Sequence, residues 1–279
     1  MAPQRIILAT FFILSSSCFA HDVNGLKSHF EGYDVKTNAE IAKRRGEIRL
    51  QDRPGSPDEA IYLADAKWPD GATLRLCFFG GTNEIRLSVS EIAIYLFAQA
   101  GLTLDSGAEN APRSCDPSVF NEIRITFNTS GTWAQIGRDA LVIPRHLPTV
   151  GLEGFDKKNE LTTLDRSTIT HEFFHVLGAL HEHQHPDASC YEELDVEEVK
   201  KYTGWSDADI NFNLKRIADL SYFEGKNIVK GNYDPKSIMH YALPLGLFRD
   251  ASTAKCFVSQ PIQPSDEDIA FLRTLYGQR

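Results

Sequence analysis

A short segment in the middle of the chain carries residues that can hold a catalytic metal ion. His171 and His175 lie four residues apart, and Glu172 directly follows the first of them. On a helix, this spacing projects both imidazoles from one face, so that they can converge on a single ion. The carboxylate of Glu172 lies beside the pair, where it can act on water rather than bind the metal. The segment therefore predicts a zinc-binding helix with Glu172 as the general base.

The residues that follow explain how a third ligand can reach the same ion. Gly178 stands three residues after His175, and His181 three residues further on. Glycine readily adopts the left-handed conformation that ends a helix and turns the chain sharply. The turn can bring His181 back to the metal, whereas a continuing helix would carry it away. Because three histidine nitrogens leave one coordination position open, His171, His175 and His181 predict a catalytic site with one Zn²⁺ per chain.

Other polar residues stand close to the third histidine. Glu182 is a carboxylate directly beside His181, while His183 and His185 are further candidate ligands. Their spacing from Gly178 fits a metal less well than that of His181. We therefore interpret His183 and His185 as residues at the rim of the site or behind the ligands.

The elements around this segment indicate an α+β fold. We expect the zinc helix to begin near Ser167 or Thr168, since both are good N-cap residues. Strands and helices are predicted before position 180, and mainly helix and loop after it. The other predicted elements are a strand at 73–79, an amphipathic helix at 88–100, a strand at 123–127 and a short strand at 141–143.

The net charge indicates which partners the chain disfavours, and the N-terminal residues indicate where it is located. The formal net charge of −9 argues against nucleic acid or an anionic membrane surface as the main partner. Arg5, the apolar run 6–14 and small residues up to Ala20 are typical of a secretory signal, and the run is too short to span a bilayer comfortably. We expect cleavage after Ala20 and a secreted product (periplasmic in a bacterium) that does not insert into membranes.

The cysteines and the breaker-rich stretches suggest how the exported chain is organised. Cys77, Cys115, Cys190 and Cys256 remain after the signal, and four cysteines allow three disulfide connectivities. Chain order favours the pairs 77–115 and 190–256. The polar stretch 21–57 is either a pro-segment or an exposed arm, and 58–279 is predicted to be the catalytic domain.

The zinc segment matches the metzincin pattern H-E-x-x-H-x-x-G-x-x-H. The extension 181–183, followed by Pro186 and Asp187, resembles the astacin family in particular. Residues 233–241, which contain Ser-Ile-Met-His-Tyr, are similar to the Met-turn segment of that family. Residues 130–138 resemble its cleft-edge strand and loop, and 268–276 its closing helix.

This resemblance implies a metzincin-like zinc metalloendopeptidase that acts, as a monomer, on proteins or peptides. The implied fold has an upper subdomain with a twisted mixed sheet and the zinc helix, and a lower subdomain of helix and loop. Met239 would form the turn beneath the zinc. Tyr241 would lie near the metal at rest and swing toward the substrate, assisting Glu172 in catalysis with a water activated by zinc.

The resemblance also implies a latent form of the enzyme. Asp34 or Glu31 would cap the zinc in this latent form, and an N-terminus freed by cleavage would dock near Glu182.

The chain departs from the family pattern at two positions. Thr132 stands where the family usually has a cysteine, and His185 where an arginine is common. The family's usual disulfide pairing therefore cannot be carried over to this chain.

Three other functions remain open on the sequence. The chain could be a zinc-binding module without catalysis, but such a module needs neither Glu172 nor an open coordination position. It could hydrolyse a non-peptide substrate, against which the segment with Met239 and Tyr241 argues. It could also be a secreted interaction protein whose zinc site is idle.

Overall fold

A computed structural model describes residues 61–220 and 228–277 of the 279-residue chain. The predicted signal at 1–20, the segment 21–57 and the candidate capping residues Glu31 and Asp34 all lie outside the described residues. The strands described are β1 (Tyr62–Leu63), β2 (Thr73–Phe79), β3 (Thr103–Asp105), β4 (Gly107–Ala108), β5 (Ala111–Pro112), β6 (Ile123–Thr126), β7 (Thr132–Ala134), β8 (Val150–Leu152) and β9 (Ile228–Val229). The α-helices described are α1 (Asn83–Gln99), α2 (Thr163–Val176), α3 (Cys190–Glu193), α4 (Val196–Thr203), α5 (Asp207–Leu214) and α6 (Asp266–Leu275).

A five-stranded mixed sheet supports the first half of the fold. Its strand order is β3-β2-β6-β8-β7. The pairs β2–β3, β2–β6 and β6–β8 are parallel, and β7 joins at one edge as an antiparallel strand. The mixed sheet and the helices confirm the predicted α+β class.

Two long helices share one apolar core with this sheet. α1 packs against α2, and α2 also contacts the edge strand β7. The core is formed by buried residues of the sheet, such as Leu76 and Ile125, and by helical residues such as Phe97 and Phe173. The zinc helix is therefore fixed from both sides, by a neighbouring helix and by the sheet.

Three predicted element boundaries need correction. Residues 141–143 do not form a strand, because Gly137–Val142 is a 3₁₀ helix. The helix predicted at 88–100 begins earlier, at Asn83, because the side chain of Thr82 caps it. The zinc helix begins at Thr163 rather than near Ser167, and the strand at 73–79 is confirmed.

The second half of the described chain forms a smaller apolar cluster, away from the sheet. It joins residues of α3, α4 and α5 to Tyr241, Leu243 and the loop around Cys256. Cys77 pairs with Cys115, and Cys190 pairs with Cys256, so the favoured connectivity is confirmed. The disulfide from α3 to residue 256 lies within this cluster and ties its two ends together.

None of the helices within 61–220 and 228–277 has the length and apolar character needed to cross a lipid bilayer.

Candidate active site

The helix that carries the first two histidines is capped by its own sequence. The hydroxyl of Thr162 accepts from the backbone N–H of Asp165 (3.1 Å), and the Asp165 carboxylate accepts from the backbone N–H of Thr162 (2.9 Å). This reciprocal pair is a capping box, which satisfies two donors that a helix start otherwise leaves without partners. The capping pair lies one turn before Ser167 and Thr168, and this explains why the predicted start was late.

The helix ends in the turn that the glycine predicts. Gly178 has φ +103°, and the backbone N–H of Ala179 reaches back to the carbonyl of Phe174 (2.9 Å). The N–H of Gly178 bonds to the carbonyl of His175 (2.8 Å), which completes a Schellman motif. The chain therefore reverses immediately after the second histidine and can return the third.

The short strand β1 holds the returning chain in place. The N–H of Leu63 donates to the carbonyl of Gly178 (3.1 Å), and the N–H of Leu180 donates to that of Ile61 (3.0 Å). Tyr62, between them, is buried and stacks on Phe271 of α6 with a ring separation of 4.3 Å. These contacts fix the residues directly before His181.

The three histidines converge as the sequence predicts. One ring nitrogen from each of His171, His175 and His181 lies within 4.8 Å of the others, and all three side chains are buried. The Nε2 atoms of His175 and His181 are 3.1 Å apart. Two nitrogens bound to one tetrahedral zinc at 2.0–2.1 Å lie about 3.3 Å apart, so this spacing fits a shared zinc ion.

Backbone carbonyls fix the orientation of two of these rings. Nδ1 of His171 lies 2.8 Å from the carbonyl oxygen of Ile238, and Nδ1 of His175 lies 2.8 Å from that of Ala179. A carbonyl can only accept, so each Nδ1 carries the proton and each Nε2 keeps its lone pair for a metal. Sequence analysis missed both partners, because a backbone carbonyl has no residue type to recognise.

Glu172 lies in the same buried site. One of its carboxylate oxygens has no hydrogen-bond partner among the described residues. Burial raises the pKa of Glu172 well above its usual value. A buried polar atom without a partner is costly, so this oxygen fits a site completed by water beside a cation.

Tyr241 lies against the histidines rather than apart from them. Its ring centroid is 4.3 Å from that of His181 and 4.1 Å from that of His183. Burial and, second, the Glu172 carboxylate raise the pKa of the Tyr241 hydroxyl above its usual value. The predicted neighbourhood of Tyr241 and the metal ligands is present in the structure.

The segment around Met239 joins the ligands to the last helix. The carbonyl of Met239 accepts from the backbone N–H of Glu182 (3.0 Å). The backbone N–H of Ile238 donates to the carboxylate of Asp268 in α6 (2.8 Å), and the Ile238 carbonyl is the partner of His171. Asp268 was not singled out from the sequence, although its place in the first turn of a helix favours a carboxylate.

Glu182 lies behind the ligands in an acidic setting. Its carboxylate accepts from the backbone N–H of Asp234 (2.8 Å). Burial, followed by the charges of Asp268 and Asp234, raises the pKa of Glu182 to about 8. Glu182 is 2% exposed, so the carboxylate next to His181 lies in the interior.

The two histidines predicted to lie at the rim or behind the ligands are both buried, in agreement with the second alternative. His183 and His185 are 1% and 0% exposed. Nε2 of His183 bonds to the carbonyl of Asn213 (2.7 Å), and Nε2 of His185 to that of Gly231 (3.1 Å). Both rings connect the ligand segment to neighbouring chain segments, so they lie behind the site.

A second group of potential ligands is not available to a metal. Cys190, Cys256 and His240 lie close together, but the two sulfur atoms form a disulfide bond with each other. The hydroxyl of Tyr233 donates to Nε2 of His240 (2.7 Å). The other ring nitrogen of His240, Nδ1, donates to the carbonyl of Tyr241 (2.9 Å). This group holds the backbone at Tyr241.

Comparison with known proteins agrees with this geometry. The family model for the astacin peptidases matches residues 115–276. A solved structure of myroilysin is 28% identical, with a TM-score of 0.66, and the match covers 79% of this chain and 100% of that one. A crystal structure of myroilysin is 27% identical, with a TM-score of 0.54 and coverage of 83% and 95%. High choriolytic enzyme 1, a hatching-enzyme zinc protease of Oryzias latipes (medaka fish), is a more distant likeness, 16% identical with a TM-score of 0.48 and coverage of 77% and 96%. No curated protein sequence matches the chain.

Proposed function

The chain belongs to the astacin family of zinc metallopeptidases, and on that premise we propose a secreted endopeptidase that cleaves proteins with Glu172 as its general base. The observation that carries this proposal is the convergence of three buried imidazoles next to a carboxylate oxygen without a partner among the described residues. His171, His175 and His181 are the proposed zinc ligands, one ion per chain.

Each residue has a separate part in the proposed mechanism. When bound, zinc supplies a Lewis acid that makes water a nucleophile at neutral pH and polarises the substrate carbonyl. Glu172 accepts the proton of the attacking water and delivers it to the leaving amine nitrogen. The Tyr241 hydroxyl donates to the carbonyl oxygen as negative charge develops there.

The substrate is proposed to bind in an extended form along β7. This strand lies at the edge of the five-stranded sheet and contacts the zinc helix. An edge strand can bind a peptide through backbone hydrogen bonds, which place little demand on the side chains of the substrate. The region from Trp133 to Ile136 is the proposed contact surface.

Export and latency complete the proposal. We propose that residues 1–20 direct secretion and that 21–57 form a removable pro-segment, with Asp34 or Glu31 as the inhibitory ligand. The two disulfides fit an oxidising compartment. The carbonyl of Ile61 accepts from the backbone N–H of Leu180, the residue just before His181.

The freed N-terminus is proposed to dock near Glu182. This carboxylate is buried beside Asp234, and both belong to an acidic group that includes Asp268. An ammonium group placed there would offset the cost of burying like charges. Replacement of Glu182 by Gln should leave the cleavage that removes the pro-segment intact. It should lower the peptidase activity only of the form from which the pro-segment has been removed.

The experiment measures zinc content and casein cleavage on the same secreted sample, before and after removal of residues 21 to about 55. We expect close to one zinc per chain, cleavage that a chelator abolishes and added zinc restores, and activity that rises after removal. Zinc without cleavage in either form would indicate an idle site or a non-peptide substrate. A chain that binds no zinc under metal-replete conditions would overturn the proposal.

Glu172→Gln tests the general base within the same assay. The amide cannot accept the proton, so we expect kcat to fall by about 10²–10⁴-fold while zinc content and folding are retained. Gln184→Met is the control, because it changes another buried residue close to His181 and leaves Glu172 in place. The side-chain amide of Gln184 bonds to the end of α5 and not to the three histidines. Near-normal cleavage by Glu172→Gln would disprove the assignment.

A further inference from the structure

His183 is the residue on which the ring of Tyr241 rests. The two rings are stacked, with a centroid separation of 4.1 Å and an angle of 22° between their planes. His181 lies 4.3 Å from the same tyrosine ring at a tilted angle of 52°. The rings of His181 and His183 are themselves 5.4 Å apart, so Tyr241 packs against both, and of these two contacts only the one with His183 is nearly parallel.

The His183 ring cannot follow the tyrosine, because its other edge is fixed. Nε2 lies 2.7 Å from the carbonyl of Asn213 in the last turn of α5, so it carries the proton and donates. The last carbonyls of a helix lack partners within the helix, and this bond satisfies one of them. The ring is 1% exposed, and its Nδ1 has no partner among the described residues.

The next residue reinforces the same attachment. Nε2 of Gln184 donates to the carbonyls of Phe212 (2.8 Å) and Lys215 (2.9 Å) at the end of α5. His183 and Gln184 together therefore cap this helix with side chains from the turn that follows the third ligand. Of the two, His183 is the one whose ring stacks on Tyr241.

From this arrangement we propose that His183 is a positioning residue, which holds the Tyr241 ring in place beside His181 and is itself held by the carbonyl of Asn213. The inference rests on the proposed function, because it assigns a role to the residue that supports Tyr241 in that reaction. His183 touches neither the substrate nor the reacting atoms, and it acts through the tyrosine alone.

Two substitutions separate the ring of His183 from its hydrogen bond. His183→Gln keeps a donor for Asn213 but removes the stacking ring, whereas His183→Phe keeps the ring and removes the donor. We expect His183→Gln to lower kcat by about tenfold with little change in KM, because misplacing an interacting group by an ångström costs on the order of 10–100-fold. His183→Phe should retain most of kcat and lose several degrees of Tm, because the Asn213 carbonyl loses its partner.

Gln184→Met provides the matched control for loss of the helix cap. It removes two hydrogen bonds to the end of α5 without changing the stacking on Tyr241. We expect its Tm to fall while its kcat stays at the wild-type value. If Gln184→Met lowers kcat as much as His183→Gln does, the effect belongs to the helix attachment and the proposal is wrong.

A double-mutant cycle tests whether His183 acts through Tyr241. Tyr241→Phe removes the hydroxyl and should cost about a hundredfold in kcat. Adding His183→Gln to Tyr241→Phe should then cost nothing further, because the group being positioned is already absent. Multiplicative losses in the double variant would overturn the proposal.

Crystal structures of the two His183 variants give a readout that is independent of activity. The Tyr241 ring should leave its position in His183→Gln and keep it in His183→Phe. An unmoved ring in both variants would overturn the positioning role, whether or not the enzyme cleaves peptides. Failure of the proposed function is seen separately, as a wild-type chain that binds zinc but cleaves no protein substrate.

Discussion

At the scale of single residues, the hydroxyl of Tyr241 is the clearest test of how the site stabilises charge. Tyr241→Phe removes this donor but keeps the ring that packs against His181 and His183. Losing one preorganised donor typically costs about 3 kcal/mol, so we expect kcat on a peptide substrate to fall about a hundredfold while KM and zinc content change little. Unchanged kcat would show that the hydroxyl does not contact the reacting carbonyl.

Gly178 is the second residue to test, because its backbone conformation forms the turn that precedes His181. Gly178→Ala places a side chain at φ +103° and brings a Cβ within 3.3 Å of the Tyr62 ring. We expect a loss of about 1–3 kcal/mol in the free energy of unfolding, together with weaker zinc binding, because the turn returns His181 to the ion. Denaturant unfolding and zinc titration by competition with a chelator measure the two effects.

Gly204 offers the matched control for that substitution. It has φ +70° at the end of α4, and a Cβ added there would meet no atom within 4 Å among the described residues beyond its chain neighbours. Gly204→Ala should therefore lower stability through backbone strain and leave zinc affinity unchanged. If both variants bind zinc normally, the turn at Gly178 is not needed to position His181.

The convergence of the three histidines beside Glu172 was predictable because they are residue types at a fixed spacing. His171, Glu172 and His175 take their geometry from one helix, and Gly178 signals the turn. The choice between the two positions predicted for His183, at the rim or behind the ligands, could not be made from the sequence, because its partner is a backbone carbonyl thirty residues away. Long-range contacts of this kind depend on how α5 packs, which no local pattern indicates.

At the scale of elements, the start of the zinc helix depends on its cap. Thr162→Ala removes the hydroxyl that accepts from the N–H of Asp165. We expect a loss of about 1 kcal/mol, which corresponds to a Tm about 2–4 °C lower, with unchanged kcat because the cap is more than two turns from His171. Ser206→Ala removes the equivalent cap of α5 and should give a similar loss of Tm. A fall in kcat for Thr162→Ala would show that the capping box also positions the ligands.

The boundaries that were wrong have two physical causes. Thr162 and Thr82 are helix caps, and threonine occurs in too many local settings to identify a cap without its backbone geometry. Residues 141–143 are apolar and β-branched in part, which favours a strand, yet they lie at the end of a 3₁₀ helix that packs next to the zinc helix. Packing outweighs a weak local preference in so short a run.

At the scale of the whole molecule, the two disulfides lie in different parts of the fold, and only one of them lies close to the site. The 77–115 bond links β2 to the loop beyond β5, and the 190–256 bond lies in the cluster that contains Tyr241. Chain order favoured this connectivity among three, but it could not establish it, because pairing depends on which cysteines the fold brings together. The structure therefore adds the location of each bond relative to the site.

Replacing each pair by alanine separates those two contributions. The closed loops have sequence separations of 38 and 66 residues, and chain entropy makes their stabilising effects differ by only about 0.5 kcal/mol. We therefore expect similar losses of about 2–4 kcal/mol from Cys77→Ala/Cys115→Ala and from Cys190→Ala/Cys256→Ala. Only the second pair should also lower kcat, because the sulfur of Cys190 contacts both the hydroxyl of Tyr233 and His240, whose ring bonds to the backbone of Tyr241. Unfolding curves and kcat measured well below each Tm check both parts, and an equal loss of kcat in the two double variants would mean that the second disulfide has no special connection to the site.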